Sequence, residues 1–239
     1  MLSTFFVPEG TDFSASEIEV FGDEAHHGVN VLRLKTSEEV KISDGAGNWT
    51  IGKVSQLSKK SFIVEISTRG FEAAPKQQIV VVQAILKNDA NKEAVDFLTQ
   101  VGVDEIIPWQ SQHSIGKIDD KSLRKWQNVA RESSRQSRRT RIPLVTNISS
   151  TEQLILKIKG LENVFVLHEA AQSRLSQIEI NEEADVILIV GPEGGLSEFE
   201  VNTFIAAGAK VVRLGESVLR AANAGAAATS VVMSRTGKW

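Results

Sequence analysis

Three stretches constrain this chain most. QIVVVQAI (78–85), NVFVLH (163–168) and DVILIV (185–190) are nearly unbroken apolar runs. A strand with one face in water alternates polar and apolar residues, so runs like these call for a sheet covered on both faces. ANKEAVDFLTQVG, KSLRKWQNVARESSRQS, TEQLILKIKG, 198–207 and 217–234 read as helices, and DEIIP and KVVRL as further strands. Strands separated by helices imply an α/β domain with a mostly parallel sheet.

The first 70 residues differ. TFFVP reads as a short strand, and DEAHHGVNVLRL as a helix passing into an extended end. EVKISDG, NWTIGKVSQ and SFIVEIST follow as three strands, with turns at 44–47 and 58–60. A compact barrel or curled sheet would bury their alternating apolar residues. The polar stretch RGFEAAPKQ (69–77), interrupted by Pro75, reads as a linker. The expected domains are therefore residues 1–72 and 73–239. A chain of 239 residues, 41% of them hydrophobic, can supply one substantial core or two smaller ones.

Composition narrows the chemistry. Cysteine is absent, which removes disulfides, thiolate metal ligands and a covalent cysteine nucleophile. His26, His27, His113 and His168 have no zinc-ligand spacing, and adjacent His26 and His27 read as a helix end, so no metal is expected. The amino terminus lacks the basic flank and apolar core of a signal peptide, and no run of about 20 apolar residues follows. A cytoplasmic protein without a membrane partner is the expectation.

The DVILIV run ends in Gly191-Pro192-Glu193-Gly194-Gly195, and Ser197 and Glu200 have capping-box spacing for the next helix. Glycines at the carboxyl end of a parallel strand permit a tight turn and close approach to a ligand. The turn matches neither GxGxxG nor GxxxxGK[ST], and Glu193 would repel a phosphate. A purely structural β–α turn is the competing reading. A second glycine turn, RLGESVLR (213–220), leads into an alanine-rich helix. The two turns are placed to wall one pocket, while the small residues suit tight core or dimer packing. Arg220, read as lying just inside that helix, is a candidate to reach solvent, to pair with Glu193 or Glu216, or to clamp an anionic group.

The net charge is −3, yet residues 117–141 hold nine Lys or Arg against three acidic residues. Arg124, Arg131, Arg135 and Arg138 are spaced seven, four and three apart, along one helical face. Arg139 and Arg141 extend the patch. A solvated surface is the ordinary reading. Crowded like charges are relieved by a phosphate backbone, which makes this the candidate RNA-binding surface.

GPEGGLS-x-x-E, the downstream LG-x-x-VLR and the earlier E-x-x-x-QSRR-x-RIP together resemble the RsmE family of ribosomal small-subunit RNA methyltransferases, over essentially the whole chain. The resemblance implies a PUA-like β-barrel domain, then a SPOUT methyltransferase domain with a C-terminal trefoil knot. It implies S-adenosylmethionine as methyl donor and a homodimer. The implied substrate is 16S rRNA in the small ribosomal subunit, methylated at N3 of the uridine conventionally numbered 1498. The implied cofactor residues are Leu167, His168, Gly191, Gly194, Leu214, Gly215 and Leu219, with Leu219 against the adenine. Arg220 and Glu193 are the candidate catalytic residues. The chain departs from the family pattern at Ser217, where members carry Arg, and at Ala221, Ala222 and Asn223, where they carry Thr-Glu-Thr. Phe97 and Gln100 replace Lys and Glu. Alternative readings are a knotted methyltransferase with another RNA target and a non-catalytic RNA-binding assembly factor.

Overall fold

The computed structural model describes residues 2–116 and 119–239. Residues 117 and 118, with which the arginine-rich run opens, lie outside the described residues. The chain divides into two compact units. One comprises Met1–Ala74 with Glu132–Ile142, and the other Pro75–Arg131 with Pro143–Trp239.

The first unit contains β1 (Ser3–Phe6), β2 (Glu17–Phe21), α1 (Gly22–His26), β3 (Glu39–Ser43), β4 (Asn48–Leu57) and β5 (Ser61–Phe71). The sheet order is β1-β3-β4-β5-β2, with β1 parallel to β3 and the other pairs antiparallel. Its edge strands β1 and β2 are not paired with each other, so the sheet is an open half-barrel. Phe5, Val20, Ile42, Phe62 and Val64 form its core, with Phe5 and Phe62 edge to face at 5.0 Å. Two features depart from the sequence reading. β2 is an additional strand, EIEVF, whose alternation of exposed Glu with buried Ile and Val has the strand period. The expected helix at 23–34 is a short α1 followed by a wide π turn at His27–Val31. Gly28 in that turn is buried, and a Cβ there would stand 2.9–3.0 Å from Leu34, Phe5 and Phe62.

Residues 132–142 belong to this unit although far from it in sequence. Ser43 Oγ donates to the Thr140 carbonyl at 2.8 Å, Lys41 Nζ to Thr140 Oγ1 at 2.6 Å, and Ile142 N–H to the Gly45 carbonyl at 2.9 Å.

The second unit contains β6 (Ile79–Ala84), α2 (Ala90–Gln100), β7 (Glu105–Trp109), most of α3 (Asp120–Gln136), β8 (Leu144–Val145), α4 (Thr151–Ile158), β9 (Asn163–Leu167), β10 (Val186–Val190), α5 (Glu198–Ala206), β11 (Lys210–Val212) and α6 (Ala221–Arg235). The sheet is parallel, in the order β11-β9-β10-β6-β7-β8. On one face Val82, Trp109, Val166, Ile189 and Phe204 pack together, with Trp109 edge-on to Phe204 at 5.3 Å. Burying a side chain the size of Phe204 contributes roughly 1.5–3 kcal/mol.

The alanine-rich helix is a core element. A Cβ on Gly225 of α6 would come within 2.9 Å of Leu98 on α2 and 3.4 Å of Val81 and Val190 on the sheet. Small residues there let α6 lie directly against α2 and the strands. The chain thus passes from the edge strand β11 back to the face of the central strands. This return brings the segment 213–220 beside the turn that follows β10.

Candidate active site

The glycine turn after β10 is built by local chemistry. Gly195 N–H donates to the Pro192 carbonyl at 3.0 Å, and Gly195 has φ +73°, where a side chain is strained. Ser197 caps α5 through the expected capping box, with Glu200 N–H on Ser197 Oγ at 3.2 Å and Ser197 N–H on Glu200 Oε2 at 3.0 Å. Glu200 is only 1% exposed, and its other oxygen accepts Gln112 N–H at 2.7 Å. Its buried charge is thus met by N–H and O–H donors, as a desolvated carboxylate requires. The loop that provides Gln112 also provides His113, whose Nδ1 lies 3.2 Å from the Gly195 carbonyl. A Cβ on Gly194 would stand 3.3 Å from His113 Cβ, so the two segments are pressed together.

Glu193 reaches outward from the same turn. Its Oε1 accepts Lys87 N–H at 3.0 Å, tying the turn to the loop between β6 and α2. Glu216, in the second glycine turn, is engaged by Arg174 at 2.7 Å and by Arg213 at 3.4 Å. The two carboxylates considered as partners for Arg220 therefore bond elsewhere. The Arg220 side chain is exposed and makes no hydrogen bond or ion pair with the other described residues. The expected helix start is corrected as well: α6 begins at Ala221, and Arg220 is the extended residue before it, with φ −59° and ψ 143°. Residues 217–220 serve the site as loop instead of continuing the helix.

Between these turns lies a cavity of about 670 Å³. That is within the range of small-molecule sites, about 300–1,000 Å³. Leu167 and His168 border it from the end of β9, Gly191 and Gly194 from the first turn, and Leu214, Gly215 and Leu219 from the second. Glu193 and Arg220 border it too. The site lies beyond the carboxyl ends of adjacent parallel strands, where open α/β sheets bind ligands. His168 N–H donates to the Val212 carbonyl at 2.9 Å, and His168 Nδ1 accepts Ala170 N–H at 3.2 Å, which leaves the ring proton to Nε2. Ala90 and Glu93, on the first turns of α2, complete the wall. Sequence reasoning missed them, because nothing local to KNDANKE marks it as facing a turn a hundred residues away.

The arginine run is not one continuous exposed face. Arg124 and Arg138 are exposed, and Arg131 is half-buried. Arg139 is half-buried and donates Nε–H to the Arg141 carbonyl at 3.1 Å. Arg135 is 9% exposed, 3.5 Å from Glu24 and paired with Glu132. Helical spacing groups it with its neighbours, but the first unit covers the last turn of α3, and the buried Glu24 there takes the nearest cation. Arg138 closes the helix in the left-handed conformation, φ 59°, with Arg138 N–H on the Arg135 carbonyl and Arg139 N–H on that of Ser134. This is a Schellman ending, in which glycine is the usual residue.

No helix of the described residues is long and apolar enough to cross a membrane, and no group of three or more His, Cys, Asp or Glu among them could hold a metal ion.

Residues 73–233 match the model of an RNA methyltransferase domain, and 22–67 that of an RNA methyltransferase PUA domain. The chain is 33% identical to the ribosomal RNA small subunit methyltransferase E of Mycobacterium bovis, over 98% of this chain and 92% of that one. It is 25% identical to the Bacillus subtilis protein of the same name, over 93% and 91%. The crystal structure of the Neisseria gonorrhoeae protein of that name, bound to S-adenosyl methionine, superposes with a TM-score of 0.89 at 25% identity, covering 98% of both chains. A putative methyltransferase from Legionella pneumophila, at 24% identity and a TM-score of 0.85, shares the fold.

Proposed function

Because the chain belongs to the ribosomal RNA small subunit methyltransferase E family, we propose that it transfers the methyl group of S-adenosylmethionine to N3 of one uridine of 16S rRNA, the position conventionally numbered 1498. Its units have the family's architecture: a PUA-like half-barrel, and a parallel-sheet SPOUT domain whose C-terminal return from β11 follows the course of a knotted core. The observation that carries the reading is the single cavity at the two glycine turns, bordered by every residue expected to face the cofactor.

When bound there, S-adenosylmethionine supplies a methyl group made electrophilic by its sulfonium. The two turns supply shape and backbone groups: Gly191, Gly194, Leu214 and Gly215 for the adenosine, and the side chains of Leu167 and Leu219 for its apolar face. The remaining work is to orient uridine N3 and remove its proton. The Arg220 side chain, exposed at the cavity and unpartnered among the described residues, would stabilise negative charge developing on a uracil oxygen. Glu193 holds its turn through Lys87 N–H and has its other oxygen available to accept the N3 proton, directly or through water. Positioning of this kind needs no covalent intermediate. Arg124, Arg131, Arg138 and Arg139 are assigned to the RNA backbone, and Arg135 to anchoring the segment that carries Arg138 and Arg139. The active form is a cytoplasmic homodimer acting on the assembled small subunit.

The test uses purified protein, radiolabelled S-adenosylmethionine and small subunits lacking the modification, followed by digestion and mapping. N3-methyluridine at the stated position is the expected product. Label on another nucleotide would reassign the target, and cofactor binding without transfer to intact subunits would replace the enzyme reading with an RNA-binding role.

A further inference from the structure

The loop after β7 is fastened to the glycine turn after β10. Gln112 N–H donates to the buried Glu200 carboxylate at 2.7 Å, and His113 Nδ1 lies 3.2 Å from the Gly195 carbonyl. A Cβ on Gly194 would stand 3.3 Å from His113 Cβ, so the histidine is also packed against the turn. A carbonyl oxygen only accepts, so Nδ1 carries the proton of this bond. The Gly195 carbonyl shares its peptide plane with Leu196 N–H. That peptide is trans, and in a trans peptide the carbonyl and the N–H point to opposite sides. With the carbonyl held toward His113, Leu196 N–H points away from it. Gly194, Gly195 and Leu196 line the cavity and His113 does not, so the side away from His113 is the cavity side. Leu196 N–H finds no acceptor among the other described residues.

We propose that His113 is a positioning residue for cofactor binding: by holding the Gly195 carbonyl it aims Leu196 N–H into the cavity, as a donor to an acceptor atom of S-adenosylmethionine. The inference rests on the S-adenosylmethionine reading of the cavity, and on no particular orientation of the ligand within it. Glycine at 195 leaves this peptide free to turn about its own bonds, and the entropy lost in fixing it would otherwise oppose binding. The histidine fixes it beforehand. Nδ1–H is present in the bonded neutral tautomer and in the imidazolium alike, so the hold is the same in both protonation states. Packing of His113 against Gly194 would support the turn without any hydrogen bond, and the two roles differ in what a side chain of similar size without a donor does.

Titration calorimetry with S-adenosylmethionine on the wild-type protein, His113→Asn and His113→Leu separates them. The Asn amide can donate from nearly the position of Nδ1, whereas Leu fills the space without a donor. His113→Leu should weaken binding about three- to tenfold, and His113→Asn should stay within about twofold of wild type, with both thermal midpoints retained. With isotope-labelled leucine, the Leu196 amide resonance should shift when S-adenosylmethionine is added to the wild type or to His113→Asn, and shift less in His113→Leu. Equal weakening by both variants, or a thermal midpoint that falls along with affinity, would make His113 a structural residue of the loop. Unchanged affinity in both, or a wild-type Leu196 amide that does not respond to the ligand, would remove the peptide's orientation from cofactor binding. Each of these overturns the proposal while the cofactor reading stands. A wild-type protein that does not bind S-adenosylmethionine would overturn the cofactor reading, and the proposal with it.

Discussion

The Arg135 guanidinium lies 3.5 Å from the Glu24 carboxylate, with both side chains buried. Glu24 also accepts Phe6 N–H at 3.2 Å, so the pair joins α1, β1 and the end of α3. Removing one member of a buried pair leaves the other charge desolvated, at a cost of roughly 3–5 kcal/mol. Arg135→Met should therefore destabilise the first unit by about that amount in urea denaturation, and adding Glu24→Gln should recover most of the loss. A double variant no more stable than Arg135→Met would show that the two charges do not depend on each other.

Arg138 occupies a left-handed position at φ 59°, where L side chains cost roughly 1 kcal/mol relative to glycine. Arg138→Gly should leave stability equal or raise it by up to about 1 kcal/mol. If Arg138 contacts a phosphate, the same change should weaken RNA binding and reduce the slope of log affinity against log salt by about one. Unchanged RNA affinity would return Arg138 to the ordinary solvated surface.

Gly195 at φ +73° sets the turn after β10, and its carbonyl faces His113. Gly195→Ala should cost roughly 1–2 kcal/mol of strain. The strained turn should weaken S-adenosylmethionine binding, measured directly by calorimetry, while leaving RNA affinity near wild type.

Arg220→Ala should reduce methyl transfer by roughly a hundredfold or more, as expected for loss of a charge-stabilising donor. Cofactor affinity should change little, since Arg220 is assigned to the uracil. Equal losses in cofactor titration and in single-turnover transfer would assign Arg220 to the cofactor instead.

Burial, reinforced by the nearby Arg135 charge, lowers the His27 pKa from its ordinary value of 6.5. The folded state then binds fewer protons than the unfolded chain just below that pH. This contribution is fully present above pH 6.5 and is lost as the pH falls through the lowered value. The thermal midpoint should drop on acidification through this window, and His27→Asn should flatten the drop.

Much of the architecture is legible in short segments. The apolar run 186–190 forces a strand buried on both faces, and Ser197 with Glu200 fixes the start of α5, because periodicity and capping are local. β2 is legible as well, in the alternation of EIEVF, although its polar neighbours mask the strand period. The start of α6 was misplaced by four residues, because alanine content favours helix while the glycine turn before it serves the cavity.

Sequence alone determined which turns must be tight and which residue types line them, since glycine conformations and helix caps depend on a few bonded neighbours. Tertiary structure alone decided the partners. It gave Glu193 to Lys87, Glu216 to Arg174 and Arg213, and Arg135 to Glu24, left Arg220 facing the cavity, and brought Glu93 to its wall. Charge pairing and burial depend on distances through space between residues far apart along the chain, and the spacing of charges on one helix carries no information about what covers that helix.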